Sequence, residues 1–326
     1  MIQGVYTALV TPFLPDESVD EEGLATLLAY QMWAEIDGIT LLGTTGESPS
    51  LTYEERDRIL QIAVETTQGK TPLMVGCGTY STHKTIQMAQ HAKKCGATSL
   101  LIVTPYYVKP TQEGIFQHFK AITEAVDLPI CVYNIQGRSG VNIETDTLVR
   151  LAELPTIVSV KEASGSIMQM SDVIERIHLK HPDFTVMCGD DALTLPLMAL
   201  GGHGIISVIS NLVPRAVTRL VHAAKTDMQA ARELHFLLRP LNHTAFIESN
   251  PIPIKRLLQL AGFPAGRCRL PLVGLLPHND AKVQELYKNL PQILCQEIQD
   301  FQKSQKATSS KRFESADEHS KSNILT

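Results

Sequence analysis

The chain has no Cys-x-x-Cys pair, no apolar run that approaches a membrane span, and no surplus of basic residues. Its six cysteines (Cys77, Cys95, Cys131, Cys188, Cys268 and Cys295) are scattered and none sits in a Cys/His cluster, so no metal is expected; buried reduced thiols are the plainer reading. Apolar runs such as residues 100–103 fall far short of the roughly 20 residues a membrane-spanning helix requires. No Lys or Arg precedes the apolar stretch within residues 1–15, so a secretory leader is not expected. Lys and Arg number 29 against 34 Asp and Glu, a formal charge of -5, which leaves no overall basic surface for nucleic acid. These absences point to a soluble cytoplasmic protein without membrane or nucleic-acid partners. Any charge that binds an anion must be local.

What is present is a repeat of strands and helices. The 326 residues, 44% hydrophobic and 19% charged, exceed one average domain, yet a (β/α)8 barrel alone takes roughly 250. Short β-branched apolar runs recur at residues 5–10, 38–42, 72–77, 99–104, 129–133, 156–161, 184–188 and 204–208. They are mostly continuous rather than alternating, as strands buried on both faces of a parallel sheet should be. Amphipathic stretches lie between them. Thr52 followed by Glu55 makes a capping box, and Gly69 closes that helix. Asp20 opens another, with Leu24, Leu27, Leu28 and Met32 on one face, and Ser81 or Thr82 opens a third.

Eight such units predict a TIM barrel over residues 1–227; a doubly wound sheet fits the periodicity but offers no reason for eight. Residues 228–302 read as a small helical domain, with helices around 232–238, 253–260 and 283–301. Residues 303–326 are polar and charged, and read as a disordered tail.

A barrel of this kind builds its site at the C-terminal ends of its strands. Strand 2 runs into Gly43-Thr44-Thr45-Gly46-Glu47-Ser48, strand 4 into Thr104-Pro105-Tyr106-Tyr107, and strand 5 into Tyr133-Asn134 with Arg138 just beyond. Strand 6 ends at Lys161-Glu162, and strand 7 at Gly189-Asp190-Asp191. Lys161 follows an apolar strand, so its stem starts in the barrel wall. Desolvation disfavours the ammonium form, and a neutral amine attacks a ketone to give an iminium, an electron sink for carbon–carbon chemistry. A strand-end lysine snorkelling to solvent is the bland alternative. Tyr133 and Tyr107 are either half-buried core phenols or proton carriers held by a second hydroxyl such as Thr44. The Gly43–Gly46 stretch suits a carboxylate cradle, and Arg138 offers a planar fork for a second carboxylate. Asp190 and Asp191 read as caps rather than metal ligands, His203 as structural, and His118 as part of a helix surface.

Taken together, residues 43–48, Thr104-Pro105-Tyr106-Tyr107-Val108-Lys109-Pro110, Tyr133-Asn134, Gly137-Arg138-Ser139-Gly140, Val160-Lys161-Glu162-Ala163, Gly189-Asp190-Asp191, residues 201–208 and Asn250-Pro251-Ile252-Pro253-Ile254-Lys255 resemble the dihydrodipicolinate synthase family. The resemblance extends to about residue 296. It implies that Lys161 forms a Schiff base with pyruvate, and that Thr44, Tyr133 and Tyr107 relay protons, Tyr107 reaching in from a neighbouring subunit. It implies that Thr45 holds the pyruvate carboxylate, that Arg138 binds aspartate semialdehyde, and that Gly189 and Ile206 line the pocket. It implies no cofactor, and a homo-oligomer, a homotetramer built as a dimer of dimers.

Two departures from the family pattern stand out. The proline common after Tyr-Asn-Val is absent from Tyr133-Asn134-Ile135-Gln136, which loosens the Arg138 loop. Lysine-inhibited relatives carry Asn and Glu where Tyr80 and Lys84 stand, and His at Tyr53 and Arg56, so weak or absent lysine inhibition is expected even though Ser48 and Tyr106 remain. Two rival readings stay open: N-acetylneuraminate lyase or a 2-keto-3-deoxy sugar-acid aldolase, and a non-catalytic relative acting as a scaffold.

Overall fold

In the computed structural model of the chain, residues 1–322 are described, with side chains as far as residue 307. Eight strands, β1 (Gly4–Ala8), β2 (Gly38–Leu41), β3 (Leu73–Gly76), β4 (Ser99–Val103), β5 (Ile130–Asn134), β6 (Ile157–Glu162), β7 (Thr185–Cys188) and β8 (Gly204–Ser207), close into a parallel barrel in sequence order. Each lies where an apolar run predicts it, with ends shifted by one or two residues. Around and between them run α1 (Glu21–Trp33), α2 (Tyr53–Thr67), α3 (Thr82–Lys94), α4 (Gln112–Ala125), α5 (Gln136–Ser139), α6 (Thr145–Ala152), α7 (Ile167–His178), α8 (Thr194–Ala199) and α9 (Pro214–Thr226). After the barrel come α10 (Met228–Thr244), α11 (Ile252–Leu260), α12 (Pro277–Lys288) and α13 (Gln292–Ser322). No helix among the described residues is long and apolar enough to cross a membrane.

Strand residues alternate between two cores, which explains why the runs read as continuous. On β5, Ile130 and Val132 face the helices, while Cys131 and Tyr133 face the barrel interior. The interior is filled by Tyr6, Ala8, Met74, Leu101, Cys131, Tyr133, Met187 and Ile206. The outer layer joins Ile39, Leu100, Val160 and Val186 to helix residues such as Leu27, Ile59 and Phe119. The barrel closes where Gly4 pairs with Gly204, and a Cβ on Gly204 would stand 1.9 Å from the Gly4 carbonyl oxygen. Only bare backbone lets the seam approach that closely.

The helix starts follow local chemistry. Asp20 accepts from the Gly23 N–H, Thr52 and Glu55 close a reciprocal capping box, and Ser81 caps α3. The end of α2 differs by one residue, since Gln68 takes the left-handed cap before Gly69.

The C-terminal region departs more. The single helix expected over 283–301 is two, because Pro291 disfavours a helical Leu290 and cannot donate into a continuing ladder. The tail expected to be disordered from 303 continues α13 to Ser322; residues 323–326 lie outside the described residues. Neither Gly nor Pro interrupts the chain after Pro291. The helix is seeded on a buried face of Leu294, Ile298 and Phe301, with Phe301 packed on Tyr30, Trp33 and Phe263. The buried Glu297 carboxylate accepts from the Arg215 and Ala216 N–H groups at the start of α9, at 2.6 and 3.2 Å, so α13 also caps a barrel helix.

Candidate active site

The period-2 geometry of β5 and β6 places Tyr133 and Lys161 side by side on the barrel interior, where they are register partners. Both are buried, and the Lys161 Nζ lies 4.2 Å from the centre of the Tyr133 ring. Their neighbours Asn134 and Glu162 point the other way. The buried Glu162 carboxylate accepts from the Asn134 amide at 3.1 Å, the Ser164 N–H at 2.7 Å and the Gln169 amide at 3.2 Å. Asn134 also takes the Ile143 N–H, so the strand ends are locked from behind. Gly189 supplies space for the lysine: a Cβ there would lie 3.1 Å from Lys161 Cε and 2.6 Å from Ala163 Cβ.

Lys161 opens on a small cavity of about 40 Å³, also lined by Thr44, Thr45, Tyr133, Arg138 and Gly189. A wider cavity of about 540 Å³ shares Gly43, Thr44, Tyr133 and Arg138 with it and extends past Ser48, Arg56 and Tyr106. Six of the eight site residues read from the sequence therefore converge. Ile206 does not line either cavity; it is packed in the barrel interior, and Val208 lines the small cavity from the same strand end. Tyr107 stands 88% exposed at φ +72, away from both cavities of its own chain.

The loop after β2 is held by residues far along the sequence. Thr45 Oγ1 accepts from the Asn250 amide at 2.9 Å, and Thr11 donates to the Gly46 carbonyl at 2.8 Å. Glu47, at φ +52, is buried and forms an ion pair with the equally buried Lys255 at 2.7 Å. Its second oxygen accepts from the Arg269 N–H at 2.9 Å. Arg56 donates to Ser48 Oγ and, at 2.9 Å, to the Gly76 carbonyl. Arg138 sits in the short α5, with Gln136 at its first helical position, and reaches the Asn250 carbonyl at 3.3 Å.

Asp190 and Asp191 do cap and shape. Asp190 accepts from the Ala192 N–H, while Asp191 accepts from the Ser207 hydroxyl and the Val208 N–H, at 2.5 and 2.9 Å. Burial pushes the Asp191 carboxyl up to about 6. His203 is structural: it accepts from the Val186 N–H and stacks on His178. His118 corrects the expectation of a surface residue; it is buried, burial pushes its pKa down to about 4, and Nδ1 meets the Thr82 hydroxyl at 2.9 Å.

Thr40, Phe246 and Asn250 also line the small cavity, and the sequence reading gives none of them a role in the site. Thr40 Oγ1 and Asn250 Oδ1 are buried there without a protein partner. Asn250 carries a weak signal through its Asn250-Pro251-Ile252 string; Thr40 and Phe246 carry none.

A closed parallel barrel with a buried lysine at the strand-6 end that has no ion-pair partner among the described residues, facing a cavity of hydroxyls and one guanidinium, has the arrangement of the barrel enzymes in which an amine acts as nucleophile. The Dihydrodipicolinate synthetase family model matches residues 1–291, and the chain belongs to that family. It is 54% identical over 292 residues to the 4-hydroxy-tetrahydrodipicolinate synthase of Protochlamydia amoebophila, covering 89% of this chain and 97% of the relative. The dihydrodipicolinate synthase of Thermotoga maritima superposes with a TM-score of 0.87 at 41% identity, covering 89% and 98%. The chloride-inhibited dihydrodipicolinate synthase of Acinetobacter baumannii, complexed with pyruvate, gives 0.86 at 38% identity, covering 89% and 99%.

Proposed function

We propose that the chain is a lyase with 4-hydroxy-tetrahydrodipicolinate synthase activity, condensing pyruvate with L-aspartate 4-semialdehyde through a Schiff base on Lys161. The observation that carries this is the buried Lys161 amine, with no carboxylate in ion-pair reach among the described residues, lining a cavity with Thr44, Thr45, Tyr133 and Arg138. The amine adds to the pyruvate ketone and water leaves, giving an iminium. Loss of a methyl proton gives the enamine, which attacks the aldehyde carbon. The amino group of the semialdehyde then displaces Lys161 as the ring closes. Tyr133 and Thr44 carry the protons, Thr45 holds the pyruvate carboxylate and Arg138 takes the second carboxylate. Thr40 and Asn250 add a hydroxyl and an acceptor for substrate.

Tyr107 completes the relay in a neighbouring subunit of a homotetramer. Its exposure and left-handed backbone support a role outside its own chain, since a bulky residue held there costs about 1–3 kcal/mol unless something compensates. Lysine inhibition is weak or absent, because the buried Arg56 lines the wide cavity and Lys84 stands 6.0 Å from the Tyr80 ring, which meets Tyr106 edge-on. Half-maximal inhibition at sub-millimolar lysine would refute that point.

The test is turnover of pyruvate and aspartate semialdehyde, coupled to the downstream reductase and read by NADPH loss. Turnover by the wild type and none by Lys161→Ala supports the reading. No wild-type turnover moves the assignment to the sugar-acid aldolases, tested by pyruvate release.

A further inference from the structure

The cysteine scatter read in the sequence has one exception. Cys95 follows His91 by four residues, and on a helix that spacing brings both side chains to one face. His91 is on α3, Cys95 is its C-cap, and Asp57 faces them from α2. The His91 Nε2 touches Asp57 Oδ1 at less than an ordinary hydrogen-bond distance, and the Cys95 Sγ is 3.4 Å from the same nitrogen. All three ligand atoms lie within 4.8 Å of one another.

We propose that Asp57, His91 and Cys95 form a surface site for one zinc-like divalent cation, with water as its fourth ligand. Sulfur, imidazole nitrogen and carboxylate oxygen are the donor set zinc takes, and three protein ligands plus water complete a tetrahedron. With bonds of about 2.0–2.3 Å, tetrahedral donors sit roughly 3.3–3.8 Å apart. The sulfur–nitrogen separation of 3.4 Å is already close to this, while the Asp57 oxygen and the His91 nitrogen stand closer and must move apart to admit the ion.

The charge balance also suits a dication. The thiol gives up its proton on binding, so one thiolate and one carboxylate neutralise the ion. Burial and the Asp57 carboxylate hold the Cys95 thiol above its usual range, a cost that the cation removes. Asp57 and His91 are about half exposed, at 48% and 50%, so ion and water have access. The ion would clamp α2 to α3 one residue from Arg56, the side chain that ties Ser48 and Gly76 at the wall of the wide cavity.

The test uses the full-length chain after chelator treatment. Cobalt(II) titration should show one equivalent with a thiolate-to-cobalt charge-transfer band, displaced by zinc. Even an outer-shell change costs metal sites about 10–100-fold in affinity, so Cys95→Ser and His91→Ala should each weaken zinc binding at least about tenfold. Cys95→Ser should also abolish the band, and zinc should raise the melting temperature of the wild type but not of either variant. Asp57→Asn, which keeps a weaker oxygen ligand and the histidine contact, should retain the band with reduced affinity. Retained coupled-assay activity certifies that the variants are folded. A band that persists in Cys95→Ser, or no stoichiometric band in the wild type, overturns the proposal.

Discussion

Among the described residues two lysines are buried, and they are buried in opposite ways. Lys255 is 2% exposed and fully answered: Glu47 lies 2.7 Å away and the Arg267 carbonyl 2.9 Å. Lys161 is 5% exposed and has no carboxylate within ion-pair reach among the described residues, only the Tyr133 ring and the cavity. Burial depresses Lys255 while Glu47 opposes the shift, so its ammonium has a partner wherever the chain is folded. An ion pair holds a lysine in its charged form; a lysine outside any ion pair lacks that stabilisation. The difference separates a clamp from the proposed nucleophile, although the two residues look alike by burial alone.

The comparison breaks most sharply under substitution. Lys161→Ala should lower turnover at least about a thousandfold while the denaturant midpoint barely moves, because no partner is left behind. Lys255→Met should do the reverse in kind. It strands the buried Glu47 and should cost about 3–5 kcal/mol in urea unfolding. Adding Glu47→Gln should recover part of that loss, which a double-mutant cycle reads directly. If Lys255→Met leaves stability unchanged, the pair is not the clamp described.

Gly189→Ala comes next. Its methyl would press on Lys161 Cε and Ala163, so kcat should fall, with a stability cost of about 1–3 kcal/mol. Equal kcat for variant and wild type would show that the lysine does not need that space. The last effect is a pH dependence of stability beneath Val208. Asp191 ionises near 3.8 when unfolded and near 6 when folded, so between these values the native state holds a proton the unfolded chain has lost. Its contribution to stability therefore falls as pH rises through this window and levels off above it, by about 3 kcal/mol. Asp191→Asn should flatten that slope in unfolding curves from pH 4 to 7.

Legibility in the sequence followed the range of the interactions. The eight strands were readable because both faces of each are buried, and Thr52 with Glu55 was readable as a local capping box. Lys161 was readable because a charge ending an apolar strand is an anomaly visible within six residues. The clamp was not readable, since Glu47 and Lys255 are 208 residues apart and Thr45 and Asn250 are 205 apart. Only the closed barrel with its C-terminal helices brings them together. Thr40 reads as an ordinary strand residue until its unpartnered hydroxyl is seen in the cavity. The His91–Cys95 spacing was visible, but Asp57, on another helix, gives it meaning.

The most direct test of the central claim is borohydride trapping with pyruvate alone, followed by intact and peptide mass measurement. One adduct per chain is expected, equal in mass to pyruvic acid less one oxygen, on the peptide containing Lys161. Lys161→Ala should carry no such adduct, and the peptide containing Lys255 should stay unmodified. An adduct on Lys255, or an equal adduct in Lys161→Ala, would contradict the claim that the unpaired buried lysine is the nucleophile.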